Sequence, residues 1–405
     1  MVTDSQLDEL RSTLTSTQPD YLADLERLVN IDCGSYTKDG VDEVGRWVAR
    51  QLEGLGASVR VVTHETLGDT VVAVLEGRGR GRALLIGHLD TVFEPGTAAE
   101  RPFVIEDGRA YGPGVDDMKG GLLTGLYALR ALRSTRGGGA PVDWLPFERL
   151  TFVANPDEEI GSPSSTPHIQ EAARDATVTF VLESARENGD IVSARKGIAD
   201  FRLTIVGRAA HAGVEPEKGR SATLEAAHKT VALFALNGRW PGVTVNVGSI
   251  HGGTRPNIVA DKCEMQVDVR ATTVNDLDAV EAAIRAICET STVPDTTCII
   301  ERLHHWLPME KTPATAALAE LAISLAGRIG FELHDAATGG ASDANTTSGM
   351  GVPSLDGLGP VGGADHAPGE YLEVDSIVPR TTLFAALLLA AAEPGPESPA
   401  GPPTG

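Results

Sequence analysis

One stretch constrains this chain more than any other: Ala83–Thr91, which reads ALLIGHLDT. Its four leading residues, Ala83, Leu84, Leu85 and Ile86, are apolar without alternation. A half-exposed strand alternates; a strand covered on both faces does not, so this run predicts a central strand of a sheet with helices on both sides. The strand ends at Gly87, and His88 and Asp90 follow. Polar groups at the carboxyl end of a central strand stand where open α/β sheets carry their sites. His88 is therefore expected to bind a metal, with Asp90 accepting its second ring N–H, as metal-bound histidines usually require. A plain strand-end turn with an aspartate cap is the bland alternative.

Two more apolar runs end the same way. Leu150–Ala154 leads into NPDEEIGS, and Val178–Leu182 leads into Glu183. Between them, YGPGVDDMKGG at Tyr111–Gly121 is a polar turn opening a helix through Leu132. Upstream, residues 4–30 have helical periodicity, with Pro19 expected to separate two helices. Val41–Leu55 reads as a helix, and Val59–Thr63 with Thr70–Leu75 as a hairpin pair. After Gly197 the pattern changes to strand Ala199–Val206, helix Ser221–Leu236, strands Thr244–Ile250 and Asp261–Arg270, helix Val274–Cys288 and strand Thr297–Arg302. That order suggests an inserted α+β domain of ferredoxin-like type. Thr244–Ile250 has no obvious partner inside the insert and could be an edge strand. Helical pattern returns at Thr315–Gly330, a short strand is expected near Val352–Asp356, and a last helix runs from about Ile377 to Ala392. The predicted division is a catalytic domain in two parts, 1–197 and 310–393, an insert at 198–309, and a Pro/Gly-rich tail at 394–405 that is expected to be disordered.

Charge narrows the partners. The 405 residues carry a net charge of −22, which argues against nucleic acid and anionic membranes. MVTDSQLDEL has neither the basic start nor the apolar core of a signal peptide. No apolar run is read as reaching spanning length, the richest being Leu383–Ala392. Cys33, Cys263, Cys288 and Cys298 are scattered, so they are expected to be free thiols in a reducing cytoplasm.

The metal-competent residues gain meaning as a set. His88, Asp117, Glu159, Glu183 and His366 are two imidazoles and three carboxylates. Two neighbouring divalent ions need about this many nitrogen and oxygen ligands, with one carboxylate between them. Such pairs activate water against a carbonyl, and a spare carboxylate must then carry the proton. Adjacent Glu158 and Glu159 can divide those tasks, one for the metal and one for the proton.

At this point the chain resembles the di-zinc aminoacylase/carboxypeptidase family, glutamate carboxypeptidase type. The resemblance rests on GHLDTV, YGPGVDDMKGG, NPDEEIGS, VLES, GRAAHAGVEPEKGRSA, NIVADKCEMQVDVR, GGASDANTTSGMGVP and GGADHAPGEYLEVD, spread over residues 80 to 380. It implies an α/β zinc-exopeptidase-like mixed sheet with helices on both faces, plus a lid and dimerisation insert. It also implies two Zn²⁺ per chain: His88 and Glu183 on one, Glu159 and His366 on the other. Asp117 bridges them, two residues before Lys119 and ahead of a peptide bond often cis in the family; Asp116 is the rival for that place. Asp90 orients His88, and Glu158 moves the proton. His211 in the insert would hold the developing oxyanion, from its own chain or a partner's. Arg270 and Asn257 would clamp the substrate's free carboxylate, and Gly340, Ser342 and Asp343 would line its pocket. The implied reaction cleaves an amide beside a C-terminal amino acid, in a homodimer. Aminoacylase, deacetylase or dipeptidase activity is the alternative, and a non-catalytic metal-binding protein the remote one. Where the glutamate-specific members carry a second basic residue after the insert, this chain has ERLHHWLPME, with Trp306 in the region. That departure leaves the preferred side chain open.

Overall fold

The computed structural model describes residues 2–137 and 143–392, so the expected tail at 394–405 lies outside the described residues. The chain divides into two compact units. One takes Met1–Ser193, Lys311–Ala337 and Ser342–Gly405; the other takes Ala194–Glu310 and Thr338–Ala341.

In the first unit a six-stranded sheet has the order Ser58–Val62, Thr70–Glu76, Arg149–Asn155, Arg82–His88, Val178–Val181, Ser354–Leu355. The first three strands pair antiparallel, and the last four run parallel. Arg82–His88 is thus flanked on both edges by parallel neighbours, with His88 opposite Asn155 and Ile86 opposite Val181. Leu84, Leu85 and Ile86 are completely buried. Ala83 and Leu85 join the main core, which is built with the helices Asp4–Val29, Gly121–Thr135 and Ile377–Ala391. Leu84 and Ile86 alternate to the other face. Covering both faces removes the polar alternation, the pattern visible in the sequence.

Three expectations are corrected here. Pro19 does not separate two helices: Asp4–Val29 is one helix with Pro19 inside it. The buried stripe Leu7, Leu10, Leu14, Tyr21, Leu25 and Leu28 runs past the proline, and its packing outweighs one lost backbone hydrogen bond. Second, Val374–Ala391 is long and apolar enough to cross a membrane, although no such run was expected. Here it is a core helix, with Leu383, Phe384, Leu387 and Leu388 buried inside the unit.

The third correction concerns the second unit. Its antiparallel sheet has the order Thr244–Gly252, Lys262–Ala271, Gly197–Val206, Thr297–Trp306. Thr244–Gly252 therefore does have a partner within the insert, with Thr244 opposite Arg270. It is still an edge strand, because only one of its sides is paired among the described residues. The helices Ala222–Phe234 and Val274–Glu289 cover one face around Phe201, Leu203, Met265 and Val267. Strand and helix order match the βαββαβ ferredoxin-like unit. The closing strand runs beyond Arg302 to Trp306, across an irregularity between Arg302 and His304.

Candidate metal centre

Three parallel strands stop side by side in the first unit, and their ends bring the acidic residues together. His88 is the last residue of its strand. Glu158 and Glu159 sit on a one-turn 3₁₀ helix after Arg149–Asn155. Glu183 follows Val178–Val181 by two residues. Asp117 comes from the turn before Gly121–Thr135. That helix approaches so closely that a Cβ on Gly121 would lie 1.6 Å from the Leu182 carbonyl oxygen. His366 lies on the loop before Tyr371–Glu373, in the left-handed region at φ 62°, uncommon for a residue with a side chain.

Asp117 is the centre of the group. Its Oδ1 is 2.9 Å from His88 Nε2, and its Oδ2 is 3.1 Å from His366 Nε2. His88 Nε2 is also 3.7 Å from Glu183 Oε2, and His366 Nε2 is 3.1 Å from Glu159 Oε2. One carboxylate thus faces two imidazoles, each of which faces a further carboxylate. The rival Asp116 is buried beside the Asp365 side chain, and burial together with that neighbour holds its carboxyl well above the usual range. The peptide bond between Asp117 and Met118 is cis.

The outer contacts differ from the simple pairing expected of Asp90. His88 Nδ1 is 3.0 Å from the main-chain carbonyl of Asp90 and 3.4 Å from its Oδ1. The Asp90 carboxylate is engaged elsewhere. It accepts the Ser35 hydroxyl at 2.6 Å and the N–H groups of Glu158 and Glu159 at 3.1 and 3.3 Å. Asp90 therefore holds the turn carrying both glutamates against the strand carrying His88.

Burial and mutual repulsion set the charges. Burial lifts Glu183 to about 7 and pushes Glu158 well above the usual carboxylate range, with Glu183 adding to the latter. Burial also raises Glu159. Desolvation opposes a charge on His88, but Glu183, Asp117 and Asp90 outweigh it, so its pKa stands well above normal. His366, hydrogen-bonded to Asp117 and Glu159, rises to about 10. Asp117 alone goes down: burial would raise it, and the two imidazoles more than reverse that. A buried set of carboxylates compensated only by histidines suits divalent cations. Two overlapping trios have ligand atoms close enough for one ion each: His88, Glu158 and Glu183, and His88, Asp117 and Glu159.

The other expected site residues have local contacts within their own units. Ser342 caps the helix Asp343–Gly349 and donates to Asp356 at 2.6 Å. Asp343 is buried and accepts from Ser162 Oγ at 2.6 Å and from Asn155, and burial lifts it to about 6. Both are tied into the interior of the first unit. In the second unit His211 and Asn257 are exposed on neighbouring loops: Ala212 N–H donates to Asn257 O at 3.0 Å, and His211 bridges Ile258. Arg270 donates to Asp268 at 3.0 Å and to the Gly339 carbonyl at 3.1 Å, and Gly340 O accepts from Arg195.

Sequence reasoning missed Glu370. Its carboxylate accepts the N–H groups of Gly114, Asp116 and Asp117 at 2.9, 2.9 and 3.0 Å, fixing the turn that carries Asp117. No spacing signals it, since its partners lie some 250 residues earlier in the chain.

The family model described as peptidase family M20/M25/M40 matches residues 84–390. Carboxypeptidase G2 of Pseudomonas sp. (strain RS-16) is 29% identical over 383 residues, covering 93% of this chain and 90% of that protein. The fold matches that of aminopeptidase PepT from Bacillus cereus ATCC 10987, with a TM-score of 0.74 and 24% identity over 93% of this chain and 99% of the other. An M20 family metallo-carboxypeptidase, Sso-CP2 from Sulfolobus solfataricus, matches with a TM-score of 0.72 and 16% identity, over 92% and 99%.

Proposed function

The chain belongs to peptidase family M20/M25/M40, a family of metal-dependent hydrolases, and from that premise we propose that it holds two Zn²⁺ and cleaves an amide beside a free C-terminal amino acid. The observation that carries this reading is Asp117, with one oxygen toward His88 and the other toward His366. In the proposal His88 and Glu183 hold one ion, Glu159 and His366 hold the other, and Asp117 is shared. Bound there, the ions would polarise the scissile carbonyl and make the attacking water more acidic.

The remaining work falls to the chain's own groups. Glu158 stands beside the ligands, half-buried and raised in pKa by its surroundings and by Glu183. A carboxylate tuned upward in this way suits taking a proton from water and handing it to the leaving nitrogen. Asp90 keeps Glu158 and Glu159 at fixed places by holding their N–H groups. His211 is proposed as the donor to the carbonyl oxygen as it gains charge. Arg270 and Asn257 are proposed to grip the free carboxylate, for which a planar guanidinium is well shaped. Gly340, Ser342 and Asp343 are proposed to shape that end of the site, the last two as supports.

A homodimer is part of the reading. Leu224, Val231 and Phe234 lie on one side of the helix Ala222–Phe234, and all three are exposed, Val231 by 72%. That helix packs beside the edge strand Thr244–Gly252. An exposed apolar stripe next to an open strand edge is what a two-fold partner covers. The free cysteines fit a reducing cytoplasm.

The test is a pair of substrates on metal-loaded enzyme: an N-acyl amino acid and the same compound with its carboxylate converted to an amide. A site built around a carboxylate rejects the neutral analogue by a factor of about 10² or more in kcat/KM. Equal rates would refute the exopeptidase reading and leave a general amidase.

A further inference from the structure

Arg380 is a buried cation that the proposed chemistry does not use. It lies on the core helix Ile377–Ala391 and is only 2% exposed. Its guanidinium bonds to main chain alone. Nε donates to Gly359 O at 2.9 Å, Nη1 to Gly189 O at 2.9 Å, and Nη2 to Gly357 O. Burial pushes its pKa down to about 10, and Asp190 offsets that only in part. A charge kept inside without a paired carboxylate is costly, so these three carbonyls must be worth holding.

The carbonyls belong to the two segments that frame Glu183. That residue lies past the end of the strand Val178–Val181, where the sheet no longer fixes the chain. Gly359 N–H donates to Glu183 O at 2.8 Å, and Ala185 N–H donates to Pro360 O at 2.9 Å. The approach is close: a Cβ on Gly359 would lie 2.9 Å from Glu183 O. On the other side Arg186 N–H donates to Asp190 O at 3.0 Å, which turns the chain back at Gly189. Arg380 therefore grips the segment Gly357–Gly359 with two of its nitrogens and the turn after Glu183 with the third. Three donors in one rigid plane can hold two segments in a fixed relation.

The other carboxylate ligands have anchors of a different kind. Asp90 accepts the N–H groups of Glu158 and Glu159, and Glu370 accepts that of Asp117. Glu183 has no such acceptor on its own amide, and its carboxylate faces His88 Nε2 at 3.7 Å. Its aim comes from its main chain. We infer that Arg380 is the positioning residue for Glu183, fixing the backbone from which that carboxylate reaches the ion it shares with His88. The inference rests on the two-ion reading above.

The experiment measures Zn²⁺ affinity by chelator competition for wild type, Arg380→Lys, Arg380→Met, Glu183→Gln and each Arg380 variant combined with Glu183→Gln. Lysine keeps the charge and loses the fork, and it decides the matter if Arg380→Met does not fold. Arg380→Lys should weaken one ion about tenfold and leave the other within about threefold. In the Glu183→Gln background the same change should cost less than about threefold, because the carboxylate it positions is gone. Leu388→Ala, a packing change on the same helix, should lower the melting temperature and leave both affinities within about threefold. Equal weakening of both ions, or effects of Arg380 and Glu183 that multiply, overturns the inference. If the wild type binds fewer than two ions, the two-ion reading has failed. Arg380 is then decided by hydrogen exchange on the metal-free protein. In Arg380→Lys the peptide 182–191 should exchange about tenfold faster than in wild type, with the turn around Asp117 unchanged. Equal rates, or the same acceleration in both peptides, overturn the inference.

Discussion

Loading the metal-free centre with Zn²⁺ at pH 7 should expel protons, and their number follows from the residues present. Without metal, His88 stands well above its ordinary pKa and His366 at about 10, so both imidazoles carry a proton at neutral pH. Glu183, at about 7, carries about half of one. A metal ligand must present a lone pair, so each of these protons has to leave. Glu158 is also raised, by burial and by Glu183, and it gives up whatever proton it holds when nearby cations replace that repulsion. Full loading should therefore release roughly two to three and a half protons per chain. The same ligands with unperturbed values would release only about half a proton, nearly all of it from the histidines. The signs agree across the set: each raised group favours its protonated form, which competes with metal, so apparent affinity rises with pH. The dependence is steepest below about 7, where Glu183 still contributes, and flattens toward about 10 as His366 loses its proton unaided. Titration calorimetry of chelator-stripped protein at pH 7, in two buffers of different ionisation enthalpy, gives the count directly. Release of less than about one proton would refute the argument that burial and repulsion charge this site.

Four other outcomes are expected. Glu158→Gln should lower kcat by about 10² to 10⁴ and keep both metals, whereas Glu159→Gln should lose metal; the opposite pattern would exchange their roles. Asp90→Asn should weaken metal binding about 10- to 100-fold in a chelator competition, because the amide has one accepting oxygen and cannot serve Glu158 on one side and Ser35 with Glu159 on the other; unchanged affinity would remove Asp90 from the argument. The stripped protein should melt at lower temperature at pH 9 than at pH 6. Glu183 and His366 hold more protons folded than unfolded, so the stability they contribute is complete below their ordinary values and is lost as pH rises through about 7 and about 10; a rising melting temperature contradicts this. Finally, inactive His211→Ala and Glu158→Gln homodimers, mixed under conditions that exchange subunits, should regain activity if His211 serves the partner's site. Verified heterodimers that stay inactive would return His211 to its own chain.

How much was legible in the sequence depended on how far apart the cooperating residues lie. The central strand was readable because burial on both faces leaves its mark within four consecutive residues, Ala83–Ile86. His88, Glu159 and Glu183 were readable because each follows such a strand directly. Pro19 misled because the local rule for proline is real, but the stripe from Leu7 to Leu28 overrides it through packing that no short window contains. Asp343 is the clearest case of a distant cause. In sequence it stands in a Gly- and Ser-rich loop, which reads as a substrate pocket. In the fold its carboxylate meets Asn155 and Ser162, more than 180 residues earlier. Glu370 was invisible for the same reason, since three backbone amides recognise it and amides have no sequence signature.

Those distant contacts also explain why the site has the charge it has. The outer carboxylates are supplied with hydrogen-bond donors. Asp90 has Ser35 and two backbone amides, and Asp157 has Ser164 and Ser165. Asp356 has Ser342 and the Gly357 amide, and Glu370 has three amides. Such donors stabilise a buried anion without bringing a positive charge with them. The inner carboxylates have no such help. Asp117 faces only His88 and His366, Glu183 faces His88, and Glu159 faces His366. Had lysines or arginines been placed there, they would have neutralised the group and closed it to cations. The fold instead satisfies the outer ring by hydrogen bonds and leaves the inner ring in electrostatic deficit. Burial raises Glu158, Glu159 and Glu183, as it raises Glu370 to about 7 in spite of its three amides, so what sets the inner group apart is its lack of neutral donors, and divalent ions are ligands that can supply the missing charge.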